Sequence, residues 1–379
     1  MLWLAFGTYD LARHPRFGVL LEGLRAAGDE VVELNVPLQL DTAARVAMLR
    51  QPWRLPMLAG KLARCWARLV AGSRRRHRGP APDAVIVGYL GHFDVRLARR
   101  LFPRTPIVLD HLVSAAGTAR DRGLARSGGA KAALMRSIDR GALRSTDVVV
   151  VDTDEHAAAL PADVASRAVV APVGAGAEWF AAGEMPAPPL APGEPLRAIF
   201  VGLFTPLHGA RTLGEALAAL AGDDRVEVTM VGTGQDHDAC RRAAAANPRV
   251  SWIDWVDTAD LPALVAAHHV SLGIFGTTEK ARNVVPNKVF QGAAAGCAIV
   301  TSQTSPQRAL LGDAAILVPP GDSAAVAGAL RGLAADPHRL AALRLAAAKR
   351  AAERFAAPSV VEPIRARLVQ TTTESRGRW

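Results

Sequence analysis

Residues 197–209, RAIFVGLFTPLHG, open as a short apolar run and break at Gly202 into a turn that ends at Gly209. The run reads as a strand, Arg197–Val201, and Thr212–Ala221 behind the turn reads as an alanine- and leucine-rich helix. Strand, glycine-containing turn and helix start make up half of a βαβ unit. The start of such a helix carries unpaired backbone N–H groups, and its dipole favours negative charge. His208 and Gly209 stand at that start. An ordinary βα turn with a surface histidine fits the same residues.

The pattern repeats on both sides. Downstream, strands are expected at Val226–Val231, Val250–Ile253, Val270–Ile274, Ala298–Thr301 and Ala315–Val318, with helices at His237–Ala246, Leu261–His268, Val289–Ala295 and Ser323–Ala335. Upstream, strands are expected at Leu2–Phe6, Glu30–Asn35, Ala84–Val87, Ile107–Asp110, Val148–Asp152 and Ala168–Ala171. Helices fit Phe17–Ala27, Leu58–Val70, Val95–Leu101 and Ala130–Ser145, and Leu340–Val369 reads as one or two more. Short strands alternating with longer helices predict parallel, doubly wound α/β sheets, because parallel strands need crossover helices. Ala181–Pro195, AAGEMPAPPLAPGEP, holds five prolines and reads as a linker between two such domains. The expected division is 1–180, linker 181–195, and 196–356, with a cleft between the domains as the place to seek chemistry.

Composition sets the outer bounds. The chain has 379 residues, half of them hydrophobic and 21% charged, which suits two globular domains. Its three cysteines, Cys65, Cys240 and Cys297, form no CxxC pair, which argues against a disulfide framework or a cysteine zinc site. No apolar stretch reaches the roughly eighteen residues that a membrane span needs. The opening residues lack a basic region and cleavage site, so the expectation is a cytoplasmic protein. The net charge of +10 is uneven: Thr42–Pro82 holds ten Lys/Arg and no carboxylate, interleaved with Trp53, Met57, Leu62, Trp66 and Leu69. This segment fits first a solvated helix, and second a peripheral helix on an anionic membrane face. No zinc-finger spacing or other nucleic-acid signature accompanies it, so a nucleic-acid partner is not expected.

Three further places carry chemistry. Val231-Gly-Thr-Gly234 follows a strand and suits phosphate binding or close backbone approach, through Gly232 and Gly234. Glu279-Lys-Ala-Arg-Asn283 and Pro286-Asn-Lys288 gather Glu279, Lys280, Arg282, Asn283, Asn287 and Lys288 ahead of a helix. Cations and a helix start suit a diphosphate leaving group, although a solvated charged loop fits as well. In the first half, Asp110 and His111 end a strand, where they read as reactive groups or as a structural cap. Gly7 and Thr8 follow the first strand, and His14 and Arg16 come next in what reads as a loop.

Taken in order, these motifs resemble a family. PNKVFQGAAAGCAIVTS (286–302) and GDAAILVPPGDSAAVAGAL (312–330) look like the C-terminal signature of the family 4 glycosyltransferases. FVGLFTPLHG (200–209) resembles their phosphate loop, and VSWIDWVDTADLPALVAAHHVSLGIF (250–275) the segment around the nucleotide base. The resemblance covers about 196–356 and is looser earlier, in PDAVIVGY, PIVLDHLVS and DVVVVDTDEH, which are similar to a bacterial branch.

The resemblance implies the GT-B fold, two Rossmann-like domains facing across a cleft, with the C-terminal helix 357–370 returning to the first domain. It implies retaining transfer of a sugar from a nucleoside diphosphate to a hydroxyl, with no metal and no cofactor. Trp255 and Val256 would meet the base; Gly202, His208, Gly209, Lys280 and Arg282 would meet the diphosphate. Asp110 and His111 would lie near the reacting sugar; Gly7, Thr8, His14 and Arg16 would face the acceptor. Gln291 and Asn283 occupy the two positions where the family usually places paired glutamates, and Leu203 and His208 replace an arginine and a lysine. Other GT-B activities (an epimerase, a pseudo-glycosyltransferase) and a partner-dependent, non-catalytic sugar-nucleotide-binding subunit fit the same motifs. A dehydrogenase is disfavoured, since Gly7 opens no GxGxxG. The acceptor stays open between a lipid-linked glycan and a small natural product, and the donor base is open too.

Overall fold

The computed structural model describes residues 1–11, 14–38, 55–76, 79–88, 91–112, 114, 117 and 129–376. The chain divides into two compact units, Met1–Ala171 with Val360–Trp379, and Pro172–Ser359.

In the first unit the strands are β1 (Leu2–Gly7), β2 (Glu30–Asn35), β3 (Ala84–Val87), β4 (Ile107–Asp110), β5 (Val148–Val151) and β6 (Ala168–Val170). They form one parallel sheet in the order β2-β1-β3-β4-β5-β6. β3, β4 and β5 are buried at every position, which is why they read as unbroken apolar runs and not as alternating ones. The strand order reverses between β1 and β3, so their carboxyl ends open the crevice where α/β sheets bind ligands.

The C-terminal helix, Ala357–Arg376, docks on this unit through buried Val360, Val361, Ile364 and Leu368. Its Arg365 Nε donates to Asp29 Oδ2 at 2.7 Å, and Trp3 Nε1 donates to the same oxygen at 3.1 Å. The N-terminal ammonium meets Asp29 Oδ1 at 2.9 Å. Burial raises the Asp29 carboxyl, but the hydrogen bonds and charges of Arg365 and the N-terminus hold it below the usual carboxylate range.

The second unit repeats the scheme with β7 (Leu196–Val201), β8 (Val226–Val231), β9 (Val250–Ile253), β10 (Val270–Leu272), β11 (Ala298–Ser302) and β12 (Ala315–Val318). The order is β12-β11-β10-β7-β8-β9, again parallel, with its reversal between β7 and β10. Phe200, Phe204, Phe275, Leu213, Met230 and Leu330 lie within one apolar core between sheet and helices.

Two expectations change here. The contact boundary falls between Ala171 and Pro172, so the proline-rich 181–195 belongs wholly to the second unit. Its start finishes a helix, Ala177–Gly183, and its middle is pinned: Ala187 N donates to Ala266 O at 2.6 Å, and Arg344 reaches Pro188 O at 3.3 Å. Proline lacks an N–H and stiffens the chain, which suits an extended packed segment as well as a linker.

The basic helix runs Leu55–Arg76, longer than read, and its apolar stripe turns inward. Leu69 is fully buried, and Trp66 packs on the core and donates Nε1 to Asp94 Oδ1 at 2.8 Å. Residues 42–54 and 77–78 of the basic segment, Trp53 included, lie outside the described residues.

Candidate functional site

The turn after β7 is built on close backbone contact. Gly209 adopts φ 70°, ψ 43°, and hands over from the short 3-10 turn Pro206–His208 to the helix Ala210–Ala219. Phe275 N donates to His208 O at 3.1 Å, which ties this turn to the loop after β10. At Gly232 (φ +115°) a Cβ would stand 2.1 Å from Gly202 O, and Gly234 packs against Phe204 in the same way. The Gly232–Gly234 pair therefore serves close approach of two βα turns.

Into this frame projects Lys288, from the first turn of the helix Asn287–Ala294. The residue is 8% exposed, and its Nζ sits 3.6 Å from the centroid of the Phe200 ring. A Cβ on Gly202 would lie 2.7 Å from that Nζ and 3.4 Å from His208 Cε1, so amine and imidazole converge on the Gly202 turn. Nζ is buried and donates to no acceptor among the described residues. Burial pushes its pKa well below the ordinary lysine value. His208 is pushed down to about 2, first by burial and then by the charges of Lys288 and Lys280. Its Nδ1 lies 3.4 Å from Thr205 Oγ1.

Neither the helix at Ala210 nor the one at Asn287 has a side-chain N-cap; Gly209 and Pro286 stand there instead. Serine, threonine or aspartate would satisfy the first N–H groups, and glycine and proline have no side-chain oxygen to do so. An anion at Gly202 would meet these helix starts and the cations together.

The remaining residues of this unit spread around that point. Lys280 is half-buried and Arg282 and Glu279 are exposed, on a short helix, Glu279–Asn283, capped by Thr278. Asn283 and Gln291 are half-buried and Asn287 is exposed. Trp255 is 77% exposed beside half-buried Val256, an aromatic face open to solvent beyond the end of β9.

The N-terminal residues have a different character. Arg16 belongs not to a loop but to the first turn of a helix, Pro15–Ala26. It is buried, with Nε on Asp110 Oδ1 at 2.8 Å and Nη2 on Ala171 O at 3.1 Å. Burial raises the Asp110 carboxyl, which Arg16 opposes. Arg16 Nη1 and Asp110 Oδ2 are buried without hydrogen bonds. His14 caps the same helix by position, its N–H bonded to Asp10 O at 3.0 Å. His111, next to Asp110, is also buried and is pushed down to about 4 by burial first and by His92 second.

The Gly7–Thr8 turn faces Asp94. Thr8 donates to Asp94 Oδ2 from N at 2.8 Å and from Oγ1 at 2.7 Å, and a Cβ on Gly7 would come within 3.1 Å of that oxygen. Together with Trp66, Thr8 makes Asp94 a buried structural acceptor. Sequence reading missed Asp94, because one acid at a helix start carries no signature of its own. It missed His92 as well, although GYLGHF follows β3 at the reversal of the strand order.

Comparison with known proteins gives two kinds of likeness. Residues 195–336 match the family described as glycosyl transferases group 1. In fold, the chain is similar to sucrose-phosphate synthase from Thermosynechococcus elongatus: TM-score 0.65, 15% identity, 99% of this chain and 98% of that one covered. It is similar to HepE from Anabaena, solved with UDP-glucose, at TM-score 0.62 and 15% identity over 98% of this chain and 99% of that one. The trehalose-6-phosphate synthase OtsA gives TM-score 0.66 at 13% identity over 97% and 98%. No curated protein matched in sequence. The two six-stranded α/β units are those of the GT-B fold.

Proposed function

We propose that this chain is a glycosyltransferase, taking a sugar from a nucleoside diphosphate and delivering it to a hydroxyl group. The observation that carries the reading is Lys288: a buried amine with no hydrogen-bond acceptor among the described residues, aimed at a glycine turn between two uncapped helix starts. A buried cation left unpaired is costly. A diphosphate would supply the missing partner, and the match of residues 195–336 to glycosyl transferases group 1 supports a donor of that kind.

In the proposed reaction the bond from the sugar's anomeric carbon to the donor phosphate breaks and a bond to the acceptor oxygen forms. The hydroxyl attacks from the face that the phosphate leaves and passes its proton to the departing phosphate, so no protein nucleophile is needed and the anomeric configuration is retained. Lys288 and Lys280 offset the charge that develops on the leaving diphosphate. Arg282 and the Gly202–Gly209 turn position it, with Gly232 and Gly234 holding the turn in place and Asn283, Asn287, Gln291 and Glu279 around it. Trp255 and Val256 are assigned to the base. On the N-terminal side, Asp110, His111 and Arg16 are assigned to the transferred sugar and the incoming hydroxyl. Gly7 and Thr8 now have a structural role on Asp94, which leaves His14 and Arg16 as the acceptor-side candidates.

The test is direct: incubate the protein with a panel of nucleoside diphosphate sugars and candidate acceptors and measure diphosphate release. UDP sugars come first, because HepE of Anabaena, similar in fold, is solved with UDP-glucose. Release that depends on acceptor supports transfer. Tight binding of the donor without release in any combination favours a non-catalytic, partner-dependent subunit, the reading that Asn283 and Gln291 in place of acids would favour. No binding at all removes the proposal.

For localisation the proposal is a peripheral protein at the inner membrane face. Among the described residues, no helix is long and apolar enough to cross a membrane. The helix Leu55–Arg76 exposes Lys61, Arg64, Arg68, Arg74 and Arg75 while Trp66 and Leu69 pack inward. Attachment would therefore be electrostatic, at about 1 kcal/mol per cation on an anionic surface.

A further inference from the structure

Two histidines meet at the carboxyl ends of β3 and β4. His111 follows β4 and His92 lies in the loop after β3; their ring centroids are 5.4 Å apart with planes at 68°. Both are buried, at 7% and 6% exposure. His92 Nε2 stands 3.1 Å from Asp139 Oδ1, close enough for attraction but out of line for a hydrogen bond. Asp139 comes from the helix Ala130–Leu143, and its other oxygen accepts from Ser114 Oγ at 2.8 Å. Ser114 Oγ in turn accepts from Gly117 N at 3.0 Å. A continuous line thus runs from that helix through Asp139 to His92 and on to the ring of His111, and back to the segment that follows His111.

His111 itself has little to hold its ring. Its backbone N–H is fixed on Val150 O at 2.8 Å, but its Nδ1 is buried without a hydrogen bond. A neutral imidazole carries one N–H and one lone pair, and its surroundings decide which nitrogen has which. The charged and titratable groups that act on it are His92, Asp139 and His156, the last held by Asp152 at 2.5 Å. The Arg16–Asp110 pair adjoins it in sequence.

We infer that His92 and Asp139 are positioning residues, which hold the ring of His111 in one orientation and one tautomer toward the sugar-transfer chemistry. The inference rests on the glycosyltransferase reading, which assigns His111 to the transferred sugar. Asp139 anchors His92, and the anchored His92 ring packs edge to face on His111 and blocks its rotation. His92 and Asp139 themselves touch no substrate.

The experiment uses ¹⁵N-histidine-labelled protein, in wild-type form and as Asp139→Asn, His92→Phe and Asp139→Glu. Long-range ¹H–¹⁵N spectra report the tautomer and titration midpoint of His111, and steady-state kinetics report kcat and KM. The expected result is a single His111 tautomer in the wild type and a mixture in Asp139→Asn and His92→Phe. In Asp139→Asn the midpoint also falls, because a carboxylate that favours the imidazolium is gone. kcat drops about ten-fold or more, as for other orienting partners, with donor KM within about two-fold. Asp139→Glu, which keeps the charge, recovers the single tautomer. An unchanged His111 spectrum and midpoint in both disruptive variants would overturn the inference. The spectra decide it even if the wild type transfers no sugar, so failure of the activity and failure of the positioning can be told apart.

Discussion

The two sheets end in the same topology but in opposite electrostatics. At the carboxyl end of the first sheet, each charged group faces one of opposite sign or a donor: Arg16 pairs with Asp110, His92 faces Asp139, and Asp94 collects Thr8 and Trp66, although Arg16 Nη1 and Asp110 Oδ2 stay without hydrogen bonds. At the carboxyl end of the second, Lys288 Nζ is buried with no acceptor among the described residues, and it converges with His208 on the Gly202 turn. A site that closes its charges internally suits neutral, hydroxyl-bearing ligands. A site that leaves a cation open suits an anion. The difference supports the proposal of diphosphate at the second unit and sugar hydroxyls at the first.

If that contrast is real, removing a charge should damage the fold in one unit and ligand binding in the other. The largest effect is expected at Arg16. Arg16→Leu strands the buried Asp110 carboxylate and should lower stability by about 3–5 kcal/mol, read as a fall in the denaturant midpoint. A shift below about 1 kcal/mol would mean the pair is not buried as described.

Asp29 comes next. Asp29→Ala removes the acceptor of Arg365, Trp3 and the N-terminal ammonium and should cost about 1–3 kcal/mol, with faster amide exchange in the C-terminal helix. Because the Asp29 carboxyl is held below its unfolded value, its contribution is present above that value and is lost as pH falls through the folded one. The gap between wild type and Asp29→Ala should therefore close on acidification.

Lys288 should behave in the reverse sense. Lys288→Met replaces a buried amine by an apolar chain of similar length, so the unliganded protein should be unchanged or more stable, by on the order of 1 kcal/mol. The sign follows from its depressed pKa: the unfolded chain binds the proton more readily, so wild-type stability rises with pH up to the ordinary lysine value of 10.5. The advantage of the methionine variant should shrink over the same range in parallel melting curves. The smallest effect is at Arg74 and Arg75, both exposed. Changing both to glutamine should alter stability by less than about 0.5 kcal/mol while reducing retention on anionic vesicles; unchanged retention would leave the helix as an ordinary solvated face.

The same contrast explains what could be read from the sequence. AVIV, IVLD and VVVV are buried on both faces, so their apolar runs placed the middle of the first sheet nearly to the residue. The glycine turns and PNK were legible because each is a contiguous turn next to a helix start, and the structure brings Gly202, His208 and Lys288 of these turns together. His92, Asp94 and Asp139 were not, since each acts through a residue distant in sequence: Asp94 on Thr8, His92 on His111. Short helices such as Glu279–Asn283 and Ser305–Leu311 span too few residues to show a period. Ala181–Pro195 was misjudged because proline marks packed extended chain and linker alike.

The central claim is that Lys288 is the open half of an anion pair. The measurement is calorimetric titration of wild type and Lys288→Met with UDP and the other nucleoside diphosphates, beside the melting temperature of each unliganded protein. The account predicts that one nucleotide binds the wild type, and that the variant loses about 100-fold in affinity, or about 2.7 kcal/mol, while melting no lower. Equal affinity in the two proteins, or a variant that loses binding only because it no longer folds, would contradict it.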